Sequence, residues 1–167
     1  MSAATHVTLK EYLETAYRPD CEYLEGELLE RNVGEWDHSR LQTLLSRYLS
    51  TREKQWKILV VVEQRVQIKP DRVRVPDISV LTGPAPNTGI VTIPPFLCIE
   101  ILSPSDRMAE MQERIDDYLA FGVAHVWLIN PRARRAFAYT ADGMREAKDG
   151  ILTTTNPDIS LVLAELE

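Results

Sequence analysis

Two acidic residues embedded in apolar stretches are the residues best suited to chemistry in this chain. Asp77 lies within residues 73–81 and Glu100 within residues 96–102, and most of their neighbours are apolar. A buried carboxylate costs on the order of several kcal/mol unless it is paired or bound to a metal. Two such acids side by side also raise each other's pKa, and a divalent cation removes both conflicts. The pair therefore predicts a metal site, and Mg²⁺ suits it because Mg²⁺ takes one or two carboxylates and several waters.

Each acid taken alone has a second interpretation. An acid in a strand is often a surface residue on the wet face of an antiparallel sheet. For Asp77 or Glu100 alone, this interpretation is as good as a metal ligand. The occurrence of both acids, each in a strongly apolar strand, favours the metal site.

Strands must carry both acids. Residues 73–81 are predicted to be one strand, in which alternation puts Asp77 and Ser79 on the same face. Glu100 shares a face with Cys98 in a near-continuous apolar strand, which is typical of the centre of a sheet. Other strands are predicted over residues 58–68, 124–130 and 136–140, with a hairpin over 23–30 that turns at Glu25 and Gly26.

Helices are predicted on either side of these strands. Caps and apolar spacing place them over residues 9–17, about 36–54 and 105–122. Thr8 and Glu11 have the spacing of a capping box, and Ser105 is the expected cap of the last helix. The order of elements predicts a mixed β-sheet flanked by helices, an α/β or α+β fold. The chain of 167 residues suits a single domain over residues 1–167.

The composition excludes some classes of protein. A formal net charge of −6 argues against a generic nucleic-acid coat protein, but a nuclease remains open because a metal supplies local positive charge. Cys21 and Cys98 lack zinc-site spacing and are predicted to be buried free thiols. No apolar run approaches the roughly 20 residues of a membrane span. Residues 1–10 lack the pattern of a signal peptide, so a cytoplasmic location is expected.

Several motifs, in their order along the chain, resemble the Uma-two family of the PD-(D/E)XK restriction-endonuclease-like superfamily. Pro-Asp alone would be a weak match, but the ordered set is specific and spans nearly the whole chain. The motifs are residues 22–28, His38, residues 75–77 and 100–105, Tyr118, and residues 122–123 and 126–131.

The resemblance implies a restriction-endonuclease-like fold, Mg²⁺ or Mn²⁺, and hydrolysis of phosphodiester bonds. Carried over, Asp77 is the metal-ligating aspartate of the Pro-Asp element, and Glu100 is the acid of the (D/E)XK element. The carbonyl of Ile101 is a further candidate ligand. A metal there would activate a water and stabilise charge on the phosphate. The resemblance favours DNA as the nucleic acid, and it leaves a homodimer open because cutting both strands needs two sites.

One position departs from the family pattern. The lysine expected two residues after the acid is replaced by Leu102, which neither donates a hydrogen bond nor titrates. Family members commonly place a lysine on the following helix, where the matching residue is Arg114. A helix folded back on the sheet would bring Arg114 level with Glu100, where it could clamp a phosphate but not accept a proton. Pairing of Arg114 with Glu110 or Asp117 is an equally good interpretation.

Other candidates have weaker patterns. Glu22 either orients a metal-bound water or holds the hairpin, and the structural role is favoured. Glu63, with Gln64, could line the same cleft. His38 stands in a first helical turn, where a histidine is more often a surface or capping residue. Two further sets are expected to be structural: a solvated basic turn of Lys69, Arg72 and Arg74, and the packing residues Trp36, Trp56 and Trp127.

Two functions follow from these observations. The first is a metal-dependent endonuclease in which Asp77 and Glu100 hold the ion, Arg114 replaces the lysine and Glu22 belongs to the site. The second is a catalytically inactive nuclease fold that serves as a binding or regulatory module, and Leu102 and Arg114 are the residues that favour it.

Overall fold

The computed structural model describes residues 6–32 and 34–166. The prediction that residues 1–10 contain no signal peptide falls partly on residues 1–5, which lie outside the described residues. Within the described residues, no helix is both long enough and apolar enough to cross a membrane.

The helices lie where the caps and periodicity predict them, but their ends differ. The capping box of Thr8 and Glu11 is present at the start of the first helix. The helix predicted over residues 36–54 is two helices, because the backbone leaves helical geometry at Arg52, whose φ is −112° and ψ is 9°. The α-helices are α1 (Leu9–Glu14), α2 (Trp36–Ser50), α3 (Glu53–Trp56) and α4 (Met108–Phe121).

The predicted cap of α4 is wrong. Arg107 precedes the first residue of the helix, and Ser105 lies outside it. The local hydrogen bond is made by Asp106 instead, whose Oδ2 accepts from the backbone N–H of Ser103 at 2.7 Å. The other end agrees with the prediction, since Gly122 takes a φ of 108°, a left-handed conformation that glycine adopts without a Cβ clash.

The strands of the described residues form three sheets. A four-stranded sheet has the order β2-β1-β5-β4, a six-stranded sheet the order β10-β9-β8-β7-β6-β3, and β11 pairs with β12. The strands are β1 (Cys21–Leu24), β2 (Glu27–Glu30), β3 (Leu59–Val62), β4 (Val66–Lys69), β5 (Arg72–Arg74), β6 (Ile78–Leu81), β7 (Leu97–Ile101), β8 (His125–Asn130), β9 (Arg135–Thr140), β10 (Gly143–Glu146), β11 (Ile151–Thr153) and β12 (Ser160–Val162).

The six-stranded sheet is mixed and carries the main core. β7 and β8 are parallel and are joined by α4, whereas its other strand pairs are antiparallel. Leu45 and Leu49 of α2 pack on the face that includes Ile99. Ile115 of α4 packs on the opposite face, which includes Cys98. Because side chains alternate along β7, Glu100 points to the same face as Cys98, beneath α4.

Two segments predicted as single strands are each divided between the two larger sheets. The chain leaves β5 and enters β6 through Pro76, which has no N–H to donate to a ladder. The segment over residues 58–68 breaks at Glu63, whose φ of 50° is left-handed. The short strands β10, β11 and β12 have little apolar alternation, and the sequence did not predict them.

The basic turn at β4 and β5 is buried rather than solvated, contrary to the prediction. Arg74 is 2% exposed, and its guanidinium bonds Glu22 at 2.8 Å and Asp117 at 2.7 Å. Arg72 bonds Asp117 at 2.9 Å, and only Lys69 remains half-exposed. Four charged residues from β1, β5 and α4 therefore neutralise one another where the four-stranded sheet meets α4.

The tryptophan predictions hold for two of the three residues. Trp127 is fully buried and Trp56 packs against the core. Trp36 is 79% exposed and does not pack in the core, so the packing role predicted for it is wrong. Cys21 and Cys98 are buried free thiols, as predicted.

Replacing Arg74 with methionine is expected to destabilise the protein by up to about 3–5 kcal/mol, because Glu22 and Asp117 would each keep a buried charge and lose their most buried cationic partner. Urea unfolding of wild type and variant measures this difference. Arg132→Met is the matched control, since Arg132 pairs with Glu35 at the surface and its loss should cost about 1 kcal/mol or less. Equal unfolding free energies for the two variants would contradict a stabilising role for the buried cluster.

Candidate active site

A polar cleft lies at the adjoining ends of β6 and β7, and α2, α4 and the loops before them border it. The space in the cleft that is accessible to water is about 110 Å³. Its lining includes Ile101 and charged and polar side chains from six separate parts of the chain: Arg31, His38, Gln42, Glu63, Asp77, Glu100 and Arg114.

The sheet register brings the two predicted acids together. Ile78 of β6 pairs with Ile99 of β7 in an antiparallel ladder. Continuing this register by one residue sets Asp77 opposite Glu100, and residues opposite each other project to the same face. Asp77 is 3% exposed and Glu100 is 1% exposed. Two buried carboxylates therefore line one cleft.

Asp77 is surrounded by donors. Its Oδ1 accepts from the Arg31 guanidinium at 2.7 Å. Its Oδ2 accepts from the backbone N–H of Ile101 at 2.8 Å and lies 3.1 Å from Nε2 of His38. Burial alone would lower the pKa of His38, but the hydrogen bond and charge of Asp77 raise it. Arg31 and His38 together offset the charge of this aspartate.

Glu100 has one engaged oxygen and one open oxygen. Its Oε1 accepts from the Tyr118 hydroxyl at 2.6 Å, and Nη1 of Arg114 lies 3.7 Å from Oε2. Burial raises the pKa of Glu100 to about 8; Arg114 opposes this shift, and the charge of Asp77 adds to it. The neutral carboxyl is thus favoured over an unusually wide pH range.

Glu22 is fully buried, and both of its oxygens are engaged. Oε1 accepts from the backbone N–H of Val75 at 2.9 Å. Oε2 accepts from Arg74 at 2.8 Å and from Arg114 at 3.2 Å. These contacts agree with a structural role and show what it supports: Glu22 holds the guanidinium of Arg114 beside Glu100.

The interpretation that Arg114 pairs with a neighbour on its own helix is wrong. Among the described residues, Arg114 forms ion pairs with Glu22 and Glu100. Glu110 lies 3.9 Å from Arg107, and Asp117 pairs with the arginines of β5. The fold-back of α4 on the sheet, which the sequence predicted, is what brings Arg114 to the cleft.

Sequence reasoning missed two contributors, Arg31 and Gln42, and assigned the wrong role to His38. His38 touches Asp77 and is neither a surface nor a capping residue. Gln42, four residues later on the same face of α2, donates to the backbone carbonyl of Asp77 at 3.0 Å. The spacing of His38 and Gln42 was the available signal. Arg31 had none, because its contact with Asp77 joins residues 46 apart in the chain.

Glu63 lines the cleft, whereas Gln64 turns away. The Glu63 carboxylate lies 3.6 Å from Arg31, and the Gln64 amide donates to the carbonyl of Gly89 instead. A φ of 50° at a non-glycine residue costs energy. The backbone N–H of Glu63 donates to the Asp77 carbonyl at 3.2 Å, which helps to hold this conformation beside the site.

The donor set fits a hard divalent cation. Carboxylate oxygens are the ligands that Mg²⁺ and Mn²⁺ prefer. Oε2 of Glu100 receives no hydrogen bond within the described residues, so a buried carboxyl oxygen remains open to a cation, whose charge would favour the carboxylate form. The described residues form no cluster of three His, Cys, Asp or Glu side chains that could hold a metal. An ion there would keep several waters, as Mg²⁺ does.

Comparisons with known proteins agree with this geometry. A family model described as "Uma2: Putative restriction endonuclease" matches residues 9–167. A crystal structure from Anabaena variabilis, described as "a putative nuclease belonging to DUF820", is 26% identical, with a TM-score of 0.83 over 96% of this chain and 97% of that chain. No curated protein matches the chain. The structural match confirms the predicted mixed-sheet fold.

The substitution Glu100→Gln is expected to reduce the loss of stability of the metal-free protein at alkaline pH. The folded-state pKa of Glu100, about 8, lies above its ordinary 4.5. Its contribution to stability is therefore complete below about pH 4.5 and is lost as the pH rises through about 8. Urea unfolding in chelator should show Glu100→Gln gaining about 2–4 kcal/mol over wild type between about pH 5 and pH 8.5.

Glu110→Gln is the control for this measurement, because Glu110 lies on the exposed rim of the same cleft. Its stability should follow that of wild type to within about 0.5 kcal/mol at both pH values. Parallel losses of stability in wild type and Glu100→Gln would show that Glu100 ionises normally.

Proposed function

This chain belongs to the Uma2 family, as its sequence motifs predicted, and we propose that it is a metal-dependent endonuclease acting on nucleic acid. Membership of the family and the similarity to a nuclease structure support a nuclease function. The residues, the ion and the substrate are parts of the proposal. DNA is favoured by the family resemblance, with Mg²⁺ or Mn²⁺ as the ion.

One observation carries the proposal: two buried carboxylates face one cleft, and one of their oxygens has no donor. Asp77 and Glu100 would hold the ion, and the carbonyl of Ile101 is a third candidate ligand. The ion supplies Lewis-acid activation of water and stabilises charge on the phosphate when bound. Tyr118 fixes Oε1 of Glu100 and so orients the open Oε2 towards the cleft.

Arg114 takes the electrostatic part of the missing lysine's role. It remains charged at every relevant pH, so it cannot remove a proton from water. Its guanidinium lies at the cleft, steadied by Glu22 at 3.2 Å, and it can donate to a phosphate oxygen as charge develops there. Glu22 therefore acts through Arg114, because both of its own oxygens are engaged.

Arg31 is the internal cation of the metal-free site. Its Nη2 lies 2.7 Å from Oδ1 of Asp77. If Oδ1 bound the ion, Arg31 would have to leave this oxygen. Its other terminal nitrogen lies 3.6 Å from Glu63, which offers a second partner. We infer that Arg31 would pair with Glu63 if Asp77 held the ion, and that its guanidinium could then meet a substrate phosphate.

A second candidate function is nucleic-acid binding without cleavage. Leu102 stands at the usual lysine position and packs against the core beneath α4. Among the described residues, no lysine lines the cleft. A site without this base would bind metal and nucleic acid but leave the phosphodiester intact.

Calorimetric Mn²⁺ titration tests the site. Wild type should bind, and Asp77→Asn and Glu100→Gln should each lose at least about 10- to 100-fold in affinity. Glu110→Gln, on the rim, should bind as wild type does. Equal binding by all four proteins would exclude this site.

Cleavage of plasmid and single-stranded DNA, with Mg²⁺ or Mn²⁺, then separates the two functions. Activity in wild type that is absent from Asp77→Asn and Glu100→Gln supports the endonuclease. Metal-dependent binding of DNA without cleavage supports the inactive module instead.

Arg31→Gln is expected to raise Mn²⁺ affinity by about 10-fold or more, because it removes the guanidinium that competes for Asp77. The same titration measures this effect. Arg31→Lys, which keeps the charge, should bind more weakly than Arg31→Gln. A loss of affinity in Arg31→Gln would mean that Arg31 supports the metal site rather than competing for it.

A further inference from the structure

We propose that the outer face of α2 docks single-stranded nucleic acid, with Trp36 stacking on an unpaired base and Arg40 and Arg47 contacting phosphates. This inference rests on the proposed function, since it names the form of substrate that the cleft would receive. It concerns a surface outside the cleft, so it can be tested separately from metal binding and cleavage.

Trp36 is the most exposed large apolar side chain among the described residues, at 79%. Tryptophan is large and amphipathic, and it is normally mostly buried unless it serves an interface. Trp36 belongs to none of the core clusters and to none of the aromatic pairs of the described residues. An open indole face is therefore available for stacking.

Two arginines continue the same line along the helix. Trp36, Arg40, Thr43 and Arg47 are spaced by four, three and four residues, so they lie on one stripe, and all four are exposed. The opposite side of α2 buries Leu45. Neither Arg40 nor Arg47 forms an ion pair within the described residues. The two unpaired cations thus extend the stripe along the helix axis to about 16 Å from Trp36, at 1.5 Å per residue.

The two acids that flank Trp36 share one cation. Arg132 lies 2.9 Å from Glu35 and 3.7 Å from Asp37. These pairs join the start of α2 to the turn after β8, so the backbone on both sides of Trp36 is tethered. The indole is held outward, and the repulsion that two acids would exert on a phosphate backbone is reduced.

The stripe borders the cleft. Ser39 lies one turn from Trp36 and lines the cleft, as do Gly34 before the helix and Gln42 further along it. A strand lying along the outer face of α2 could pass over Ser39 to reach Asp77 and Glu100. The acidic rim of the cleft, which includes Glu110, makes the cationic side of α2 the favoured approach for a polyanion.

The chemistry selects an unpaired strand. A base in a duplex has its faces covered by its neighbours, whereas a single strand can present a base face to an aromatic side chain. Alternating stacking and phosphate contacts are the usual way in which proteins hold single strands without reading their sequence. One indole and two arginines in a line provide this combination.

Fluorescence anisotropy of a labelled single-stranded oligonucleotide of about 12 nucleotides, with the full chain in chelator, tests the proposal. Trp36→Leu should weaken binding by about 5- to 100-fold. An abasic oligomer of the same length should bind wild type and Trp36→Leu equally. The double variant Arg40→Ala/Arg47→Ala should lower the slope of log affinity against log salt by about 1.4, for two phosphates on a single strand.

The double variant Arg145→Ala/Lys148→Ala is the matched control, because it also removes two exposed cations, at positions outside α2. It should leave the affinity and the salt slope unchanged. Equal binding of the intact oligomer by Trp36→Leu and wild type would overturn the proposal. Duplex binding as tight as single-strand binding, or no binding of any oligomer, would also overturn it, and the latter would favour a protein partner.

Asp77→Asn keeps this test distinct from the proposed function. It should abolish Mn²⁺ binding and cleavage, while Trp36→Leu should weaken oligonucleotide binding in chelator by the same factor in the Asp77→Asn background as in wild type, because Asp77 does not belong to the stripe. Oligonucleotide binding that depends on Trp36, without cleavage, would contradict the proposed endonuclease activity and support the docking face. Equal cleavage and equal oligonucleotide binding by wild type and Trp36→Leu would support the endonuclease activity and contradict the docking face.

Discussion

Two carboxylates buried side by side are the constraint on which the rest of this structure depends. β6 and β7 set Asp77 opposite Glu100 in an interior where an unpaired charge is costly. Four polar side chains surround the pair: Arg31 and His38 contact Asp77, and Arg114 and Tyr118 lie beside Glu100. His38 lies on α2, and Arg114 and Tyr118 lie on α4, so the packing of these two helices on the sheet positions three of the four groups.

The same electrostatic demand extends outward from the cleft. Arg114 is shared between Glu100 and Glu22, and Glu22 is shared between Arg114 and Arg74. Arg74 in turn meets Asp117 on α4. The four-stranded sheet is therefore joined to the site by alternating charges, and the position of Arg114 depends on residues that have no contact with the cleft. Stability and site geometry are coupled through this chain of ion pairs.

The arginines also define what the site can do. Guanidinium groups neutralise the acids in the absence of a metal, yet they do not titrate and cannot serve as bases. With Leu102 at the lysine position, proton transfer must rely on water or on another group. The endonuclease and the inactive module differ only in this step, since both need the same acids, the same cleft and the same approach for a phosphate backbone.

The sequence by itself determined most of the helices, the central strands and the pairing of the acids, while the tertiary structure decided the strand boundaries and the rest of the site. Alternation in β7 and four-residue spacing in α2 and α4 are local properties of the backbone, so strands, helices and the inward face of Glu100 could be predicted. The breaks at Glu63 and Pro76, which divide two predicted strands between sheets, depend on packing. So does the burial of Arg74, which looked like part of a solvated turn. Arg31 reaches Asp77 across 46 residues, and no periodicity records a contact that arises only when distant segments pack together.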